Sequence, residues 1–278
     1  LHKNWTMAKK KIGIYTSLES TFNNKVEDLY LIVDRESIVF SVKNINRNEF
    51  VAFEHFENSV DNIGWHQLIA YLQNNSKLIQ HVFANVHFVW NSPRCIITKK
   101  LPKEDTLRYQ QELDLVHGNS NEEELYLKPF DDDKILVFSV PDALSTLLSR
   151  SFPTGKWHHY MEYVLAQDAQ DAALLFLFEK NYCLRLVNDG KNQLVNHFQL
   201  EGDYQNCFTI LNACSNILAN TNDAHLKVWG IHQLQNSFVN AIVPYFKSFE
   251  LVLDQIGDVQ TSLNKNYPNH MYATYFIF

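Results

Sequence analysis

Leu29-Tyr-Leu-Ile-Val-Asp34-Arg-Glu-Ser37-Ile-Val-Phe-Ser-Val42 reads as two apolar runs, β-branched and aromatic, on either side of a polar turn at Arg35-Glu36-Ser37. A third such run occupies residues 50–56. These residue types suit the pleated, half-buried surface of a sheet, so the stretch predicts a three-stranded meander. Outward from it, Trp65, Leu68, Ile69 and Leu72 fall at i, i+3, i+4 and i+7, the apolar stripe of a helix. Residues 82–90 then read as a further strand, because β-branched and aromatic positions crowd that run.

The same order recurs in the second half of the chain. Ala172-Ala-Leu-Leu-Phe-Leu-Phe178 precedes a turn at Glu179-Lys180-Asn181, a run over 182–187, a turn at Asn188-Asp189-Gly190 and a run over 193–200. Asn, Asp and Gly tolerate the positive φ that tight hairpins demand, which marks 188–190 as a hairpin turn. Asp203 is placed to cap the next helix, whose apolar face reads Tyr204, Cys207, Phe208, Leu211, Cys214 and Leu218. A short strand over 225–229 ends at Gly230. A last helix, kinked at Pro244, is predicted from Leu234, Phe238, Ala241, Ile242, Tyr245, Phe246 and Phe249.

Between the copies the sequence predicts a strand near 94–98, a polar helix over about 103–116, an acidic loop at 119–124 and a strand at 135–140. A helix opened by Pro141 follows, then one with Trp157, Tyr160, Met161, Val164 and Leu165 inward. A meander extended through a helix by a parallel strand gives a mixed sheet covered by helices. The fold class is therefore α/β with mixed sheets, duplicated, with two lobes around a cleft. The expected division is an N-terminal extension without order at 1–22, a first lobe at 23–165 and a second at 166–278. Residues 1–6 precede Met7 and are set aside as a remnant or a misassigned start.

That duplicated order, with the hairpin at 29–42 answering 174–187 and Val228-Trp-Gly230-Ile-His232 near the end, resembles the actin-like ATPase superfamily of actin, sugar kinases and seventy-kilodalton heat-shock proteins, a ribonuclease H-like fold. More narrowly, the chain looks like a bacterial domain-of-unknown-function family with an actin-like ATPase fold. The segments behind this likeness are Val140-Pro141-Asp142-Ala143-Leu144, Phe152-Pro153 with His158-His159, and Leu194-Val195-Asn196-His197-Phe198. It runs from Leu29 to Phe278. Active members of the superfamily clamp phosphate at the first hairpin turn of each lobe, typically with Asp-x-Gly followed by Thr or Ser. The resemblance thus points to Asp34, Glu36, Ser37 and Gly230 as cofactor-binding cleft candidates. Departures are evident: Glu36 stands at the glycine position with a carboxylate, Glu179-Lys180-Asn181 has neither Asp nor Gly, and Trp229-Gly230 replaces a Gly-Gly pair.

The 278 residues are 46% hydrophobic and 20% charged, ordinary globular values that allow two cores. With 24 Lys and Arg against 31 Asp and Glu, the net charge of −7 is the wrong sign for phosphate neutralisation, so no nucleic-acid partner is expected. Lys9-Lys10-Lys11, and Lys99-Lys100 with Lys103, read as solvated charge. Cys95, Cys183, Cys207 and Cys214 lack C-x-x-C spacing and sit among apolar neighbours, which suits reduced thiols. No apolar run is long enough to span a membrane, and residues 12–17 are too short and polar for a secretion signal. A cytoplasmic location is expected.

No metal site is predicted. His158 and His159 are adjacent, so on the expected helix they point about 100° apart. His81 and His87 are about 20 Å apart on the expected strand. Asp131-Asp132-Asp133 reads as a solvated turn. P-loop, dinucleotide, hydrolase and zincin motifs are absent from the sequence. With no catalytic residue assigned, the expected function is a non-catalytic, actin-like binding or scaffolding protein with a protein partner or self-association and no cofactor. The alternative is a divergent ATPase or phosphotransferase using Mg-ATP, with Asp34 orienting a Mg²⁺-bound water and Gly230 admitting adenine. The tail, Met271 to Phe278, carries no charged side chain and is expected to dock within its own subunit, as an edge strand, the alternative being burial against another chain as a self-association or partner site.

Overall fold

The computed structural model of the chain describes residues 8–15, 25–35, 37–58, 64–103, 105–130, 132–218, 221–230, 237–253 and 272–278. Two compact units divide it, Leu1–Glu162 and Tyr163–Phe278. In chain order the first unit holds β1 (Ala8–Tyr15), β2 (Glu27–Val33), β3 (Ser37–Asn44), β4 (Glu49–Asn58), α1 (Trp65–Asn75) and β5 (Asn85–Trp90). It continues with β6 (Cys95–Lys99), α2 (Thr106–His117), β7 (Glu123–Pro129), β8 (Lys134–Pro141), α3 (Asp142–Ser151) and β9 (Lys156–His159). The short helix α4 (Tyr160–Ala166) crosses the division. The second unit holds β10 (Ala172–Leu177), β11 (Asn181–Asn188), β12 (Lys191–Gln199), α5 (Asp203–Ile217), β13 (His225–Trp229), α6 (Ser237–Ile242) and β14 (Ser248–Val252).

The duplication is plain in the sheets. The first unit orders its strands β1-β4-β3-β2-β5-β9 and the second β12-β11-β10-β13-β14. Without β1, each is an antiparallel meander of three strands extended by two parallel strands. β2 and β10 are the centres, hydrogen-bonded on both sides, and β10 is buried along its whole length. Continuous apolar runs suit strands covered on both faces. A third sheet, β6-β8-β7, is antiparallel and sits in the chain between the last two strands of the first unit's large sheet.

Several elements differ from the sequence expectation. Within the stretch expected to lack order, Ala8–Tyr15 forms β1 and pairs antiparallel with β4. The acidic loop contributes Glu123 and Glu124 to β7, where their carboxylates accept hydrogen bonds from Ser139 and Ser145, so charge there is used inside the structure. Trp157 lies on β9, paired opposite Phe88 of β5, and the helix starts only at Tyr160. The expected last helix stops at Ile242, because Pro244 has no N–H to continue it. Phe249 then sits on β14, parallel to β13. Leu234 lies outside the described residues.

α5 forms where expected, and Cys207, Leu211, Cys214 and Leu218 of the expected face pack in or against the second unit's core, whereas the first turns differ. Its buried residues are Asn206, Ile210 and Cys214, while Tyr204 is 94% and Phe208 65% exposed. Asn206 is buried beside them: its side-chain oxygen accepts from the Glu201 N–H at 3.1 Å and its amide donates to the Glu201 carbonyl at 3.3 Å. Gly202 holds the N-cap position, and the Asp203 carboxylate accepts from the Ser237 hydroxyl instead of capping. The tail docks within the second unit as a 3-10 turn, Ala273–Phe276, and forms no strand. Tyr275 packs edge-on to Phe178 at 5.7 Å, and Gln167 donates to the Ile277 carbonyl at 3.0 Å.

Candidate functional site

The first hairpin closes between Val33 and Ile38, with the Asp34 N–H donating to the Ser37 carbonyl at 3.0 Å. Asp34 is buried, and its carboxylate turns back on the hairpin. One oxygen accepts from the Ser37 N–H at 2.6 Å and the other from the Ser37 hydroxyl at 3.1 Å. Short acidic side chains commonly satisfy turn donors this way. The structure therefore brings Asp34 and Ser37 together. Glu36 lies outside the described residues.

The second hairpin has the same register. Leu177 pairs with Tyr182, and the Phe178 N–H donates to the Asn181 carbonyl at 2.9 Å. Phe178, fully buried, thus stands where Asp34 stands in the first hairpin, and Glu179 is one position further on. Gly230 belongs to the second unit and the Asp34–Ser37 pair to the first. It takes φ +71°, and a Cβ there would lie 2.5 Å from the Leu177 carbonyl oxygen and 2.7 Å from the Thr274 side chain. Packing by the C-terminal turn is reason enough for this glycine.

Other polar constellations were not legible in the sequence. Glu54 on β4 is wholly buried and is reached by Lys10, the Tyr15 hydroxyl, the Ser76 hydroxyl and, at 3.0 Å, the Lys77 N–H. These contacts tie β1 and the end of α1 to β4. Burial first, and then Glu54, raises the Tyr15 pKa far above the ordinary phenol value.

β5 and β9 bring together residues distant in sequence. His87 Nδ1 lies 3.3 Å from His158 Nε2, and His158 Nδ1 lies 3.1 Å from the Glu162 carboxylate. On the far side His87 Nε2 faces Asp28 at 3.7 Å, and Tyr30 stacks on the His87 ring at 4.7 Å. Burial above all, then the neighbouring His158, lowers the His87 pKa against the pull of Asp28. His159 points to the other side of the strand, wholly buried, with Nε2 at 3.0 Å from the Ser92 carbonyl. The alternation of a strand separates the adjacent histidines. A helical reading of 157–165 hid it.

In the second unit, the N-terminal ends of β10 and β13 border an open cavity of about 510 Å³, lined by Asp168, Asp171, His225 and Lys227. Asp171 accepts from the Asp189 N–H at 2.7 Å, and Lys227 pairs with Glu250 at 3.0 Å. Among the described residues no group of three or more His, Cys, Asp or Glu is arranged to hold a metal ion. None of the four cysteines forms a disulfide, and burial pushes the Cys95 and Cys214 thiols up to about 12.

Residues 17–249 match the model of a protein family of unknown function, DUF3822. The chain belongs to this family. Among solved structures, the DUF3822 chain is similar to a Bacteroides thetaiotaomicron protein with an actin-like ATPase fold and unknown function, at 12% identity and a TM-score of 0.69, covering 82% of this chain and 91% of that one. Ethanolamine utilization protein EutJ from Carboxydothermus hydrogenoformans matches at 7% identity and a TM-score of 0.46, covering 90% and 89%. The cytoplasmic domain of EpsL, an inner membrane component of the type II secretion system of Vibrio cholerae, matches at 10% and 0.42, covering 73% and 80%. At such identities the likeness shows the fold alone. This DUF3822 chain has the actin-like ATPase fold. No curated protein matches it. Among the described residues no helix is long and apolar enough to cross a membrane.

Proposed function

We propose that this DUF3822 protein is a non-catalytic, actin-like binding or scaffolding protein that works in the cytoplasm without nucleotide hydrolysis. The observation that carries this reading is the Asp34 carboxylate, both of whose oxygens accept hydrogen bonds within their own turn. Two further features support it. Phe178 holds the matching position of the second hairpin, and Thr274 packs so closely on Gly230 that a Cβ there would lie 2.7 Å from its side chain. The residues present fit Mg-ATP poorly. A protein partner is favoured by Tyr204 and Phe208, which α5 turns outward, and cysteines without disulfides suit a reducing compartment.

Isothermal titration of the full chain with Mg-ATP and Mg-ADP is expected to give no saturable binding up to millimolar nucleotide. Micromolar affinity, or turnover lost in Asp34→Asn, would instead favour the phosphotransferase reading, with Asp34 orienting a Mg²⁺-bound water and Gly230 admitting the base.

A further inference from the structure

The histidines of β5 and β9 form a chain of four titratable groups, Asp28, His87, His158 and Glu162, held by β2, β5, β9 and α4. With both rings neutral, their hydrogens do not balance. His158 Nδ1 faces the Glu162 carboxylate and must carry a hydrogen there, which leaves Nε2 with a lone pair. A neutral His87 then donates from Nδ1 to that lone pair, so its own Nε2 is bare. That nitrogen is buried without a hydrogen-bond partner and faces the Asp28 carboxylate, itself fixed by Asn85 at 2.8 Å. Two lone-pair-bearing groups face one another across 3.7 Å.

One further cation between the rings, a proton or a metal ion, removes the mismatch, and the distances favour the metal ion. If both inner nitrogens, His87 Nδ1 and His158 Nε2, present lone pairs to a metal ion, both outer nitrogens carry hydrogens and both face carboxylates. Carboxylates on the outer nitrogens are the usual support of metal-bound imidazoles. The distances agree. In a tetrahedral site with Zn–N bonds of ~2.0–2.1 Å, two bound nitrogens stand about 3.3–3.4 Å apart; here they are 3.3 Å apart. Two imidazoles aimed at such an ion place their ring centroids about 5.2 Å apart; here they are 5.2 Å apart. We propose that His87 and His158 form a two-histidine site for a borderline divalent transition-metal ion, Zn²⁺ or Cu²⁺, with Asp28 and Glu162 orienting the rings and water completing the coordination.

The side chains of His87 and His158 are 21% and 20% exposed, enough for water and a hydrated ion to reach them. Asp28 and Glu162 supply two negative charges beside the rings, with Lys156 near His87 and Lys43 paired across the strands from Asp28. Imidazole nitrogen selects Zn²⁺ and Cu²⁺ over Mg²⁺ and Ca²⁺, which prefer oxygen. Two protein ligands make a weaker and more exchangeable site than a closed structural one.

The test is Zn²⁺ titration of the full chain by calorimetry, with Mg²⁺ as control. Wild type is expected to bind one equivalent that is lost, or weakened at least tenfold, in both His87→Gln and His158→Gln. Asp28→Asn and Glu162→Gln keep the ligands and are expected to weaken binding by about 10–100-fold. On ¹⁵N-labelled wild type, stoichiometric Zn²⁺ should produce one Nδ1-bound and one Nε2-bound imidazole, a signature that needs no variant. Unchanged Zn²⁺ binding in folded His87→Gln and His158→Gln, no binding at millimolar Zn²⁺, or an imidazole pattern without that mixed pair overturns the proposal.

Discussion

Arg94 gathers four partners around one guanidinium. It pairs with Asp114 of α2 and, at 2.9 Å, with Glu123 of β7, and it donates to the Ser139 hydroxyl of β8 and the Gly118 carbonyl. Its side chain is 12% exposed, so removing it strands two largely buried carboxylates. Arg94→Leu is expected to cost about 3–5 kcal/mol, the scale for breaking a buried ion pair from one side, and urea melts will read it. Arg108, paired with Glu112 but 59% exposed, gives the contrast: Arg108→Ala is expected to change stability by no more than about 0.5 kcal/mol. His87 makes a pH prediction. Its pKa in the fold is lowered from 6.5, chiefly by burial, then by His158, with Asp28 opposing and Lys156 adding. As pH falls through 6.5, the unfolded chain takes up a proton that the folded one refuses, so stability falls. Urea melts between neutral pH and about pH 5 should lose stability toward acid, and His87→Gln should flatten that slope. An equal slope in both proteins would count against the burial argument.

At the scale of elements, two glycines decide how strands and turns seat. Gly155 precedes β9, and a Cβ there would lie 2.2 Å from the Phe88 ring, closer than atoms can pack. Gly155→Ala must therefore displace β9 or Phe88, at a cost of about 1–3 kcal/mol from overpacking. Gly230→Ala combines positive φ with the Thr274 contact and is expected to cost as much. Hydrogen exchange should localise the damage to residues 272–278, and protection unchanged there would refute the seating argument. Because Tyr275 and Phe276 are buried in the second unit, removing residues 271–278 should lower the melting temperature while leaving the mass in light scattering unchanged. Tyr275→Ala alone should account for about 3–5 kcal/mol. A lower mass with an unchanged melt would instead place the tail in an interface.

Across the described residues, burial is concentrated in the central strands of the sheets. β2, β3, β4, β8, β10 and β11 are nearly continuous in burial, while β7, β12 and β14 are mostly part-buried or exposed. Native-state exchange is expected to be slowest in the nearly continuous strands. Equal protection in β7 and β10 would contradict this. The net charge of −7 carries its own expectation at this scale: a mobility-shift assay at physiological salt should detect no binding to duplex DNA.

The sequence alone determined the duplicated meander, α1, α2, α3 and the sign of the surface charge. Each is written in local periodicity: Leu68, Ile69 and Leu72 share a helical stripe, and the runs flanking Asp34 are dense in β-branched residues. Tertiary structure decided what depends on partners. Trp157 became a strand residue because β5 offered a free edge, and Phe249 because β13 did, although both stretches had helical spacing. On α5, Asn206 is buried and bonded back to Glu201, while Tyr204 and Phe208 of the apolar stripe stay exposed. Hairpin register, not composition, put Phe178 opposite Asp34 in the repeat. His87 and His158, 71 residues apart, meet only because two parallel strands pair. Local propensity acts over a turn or a strand, whereas cross-strand pairing joins residues that no short window contains, and the candidate site is made of such pairs.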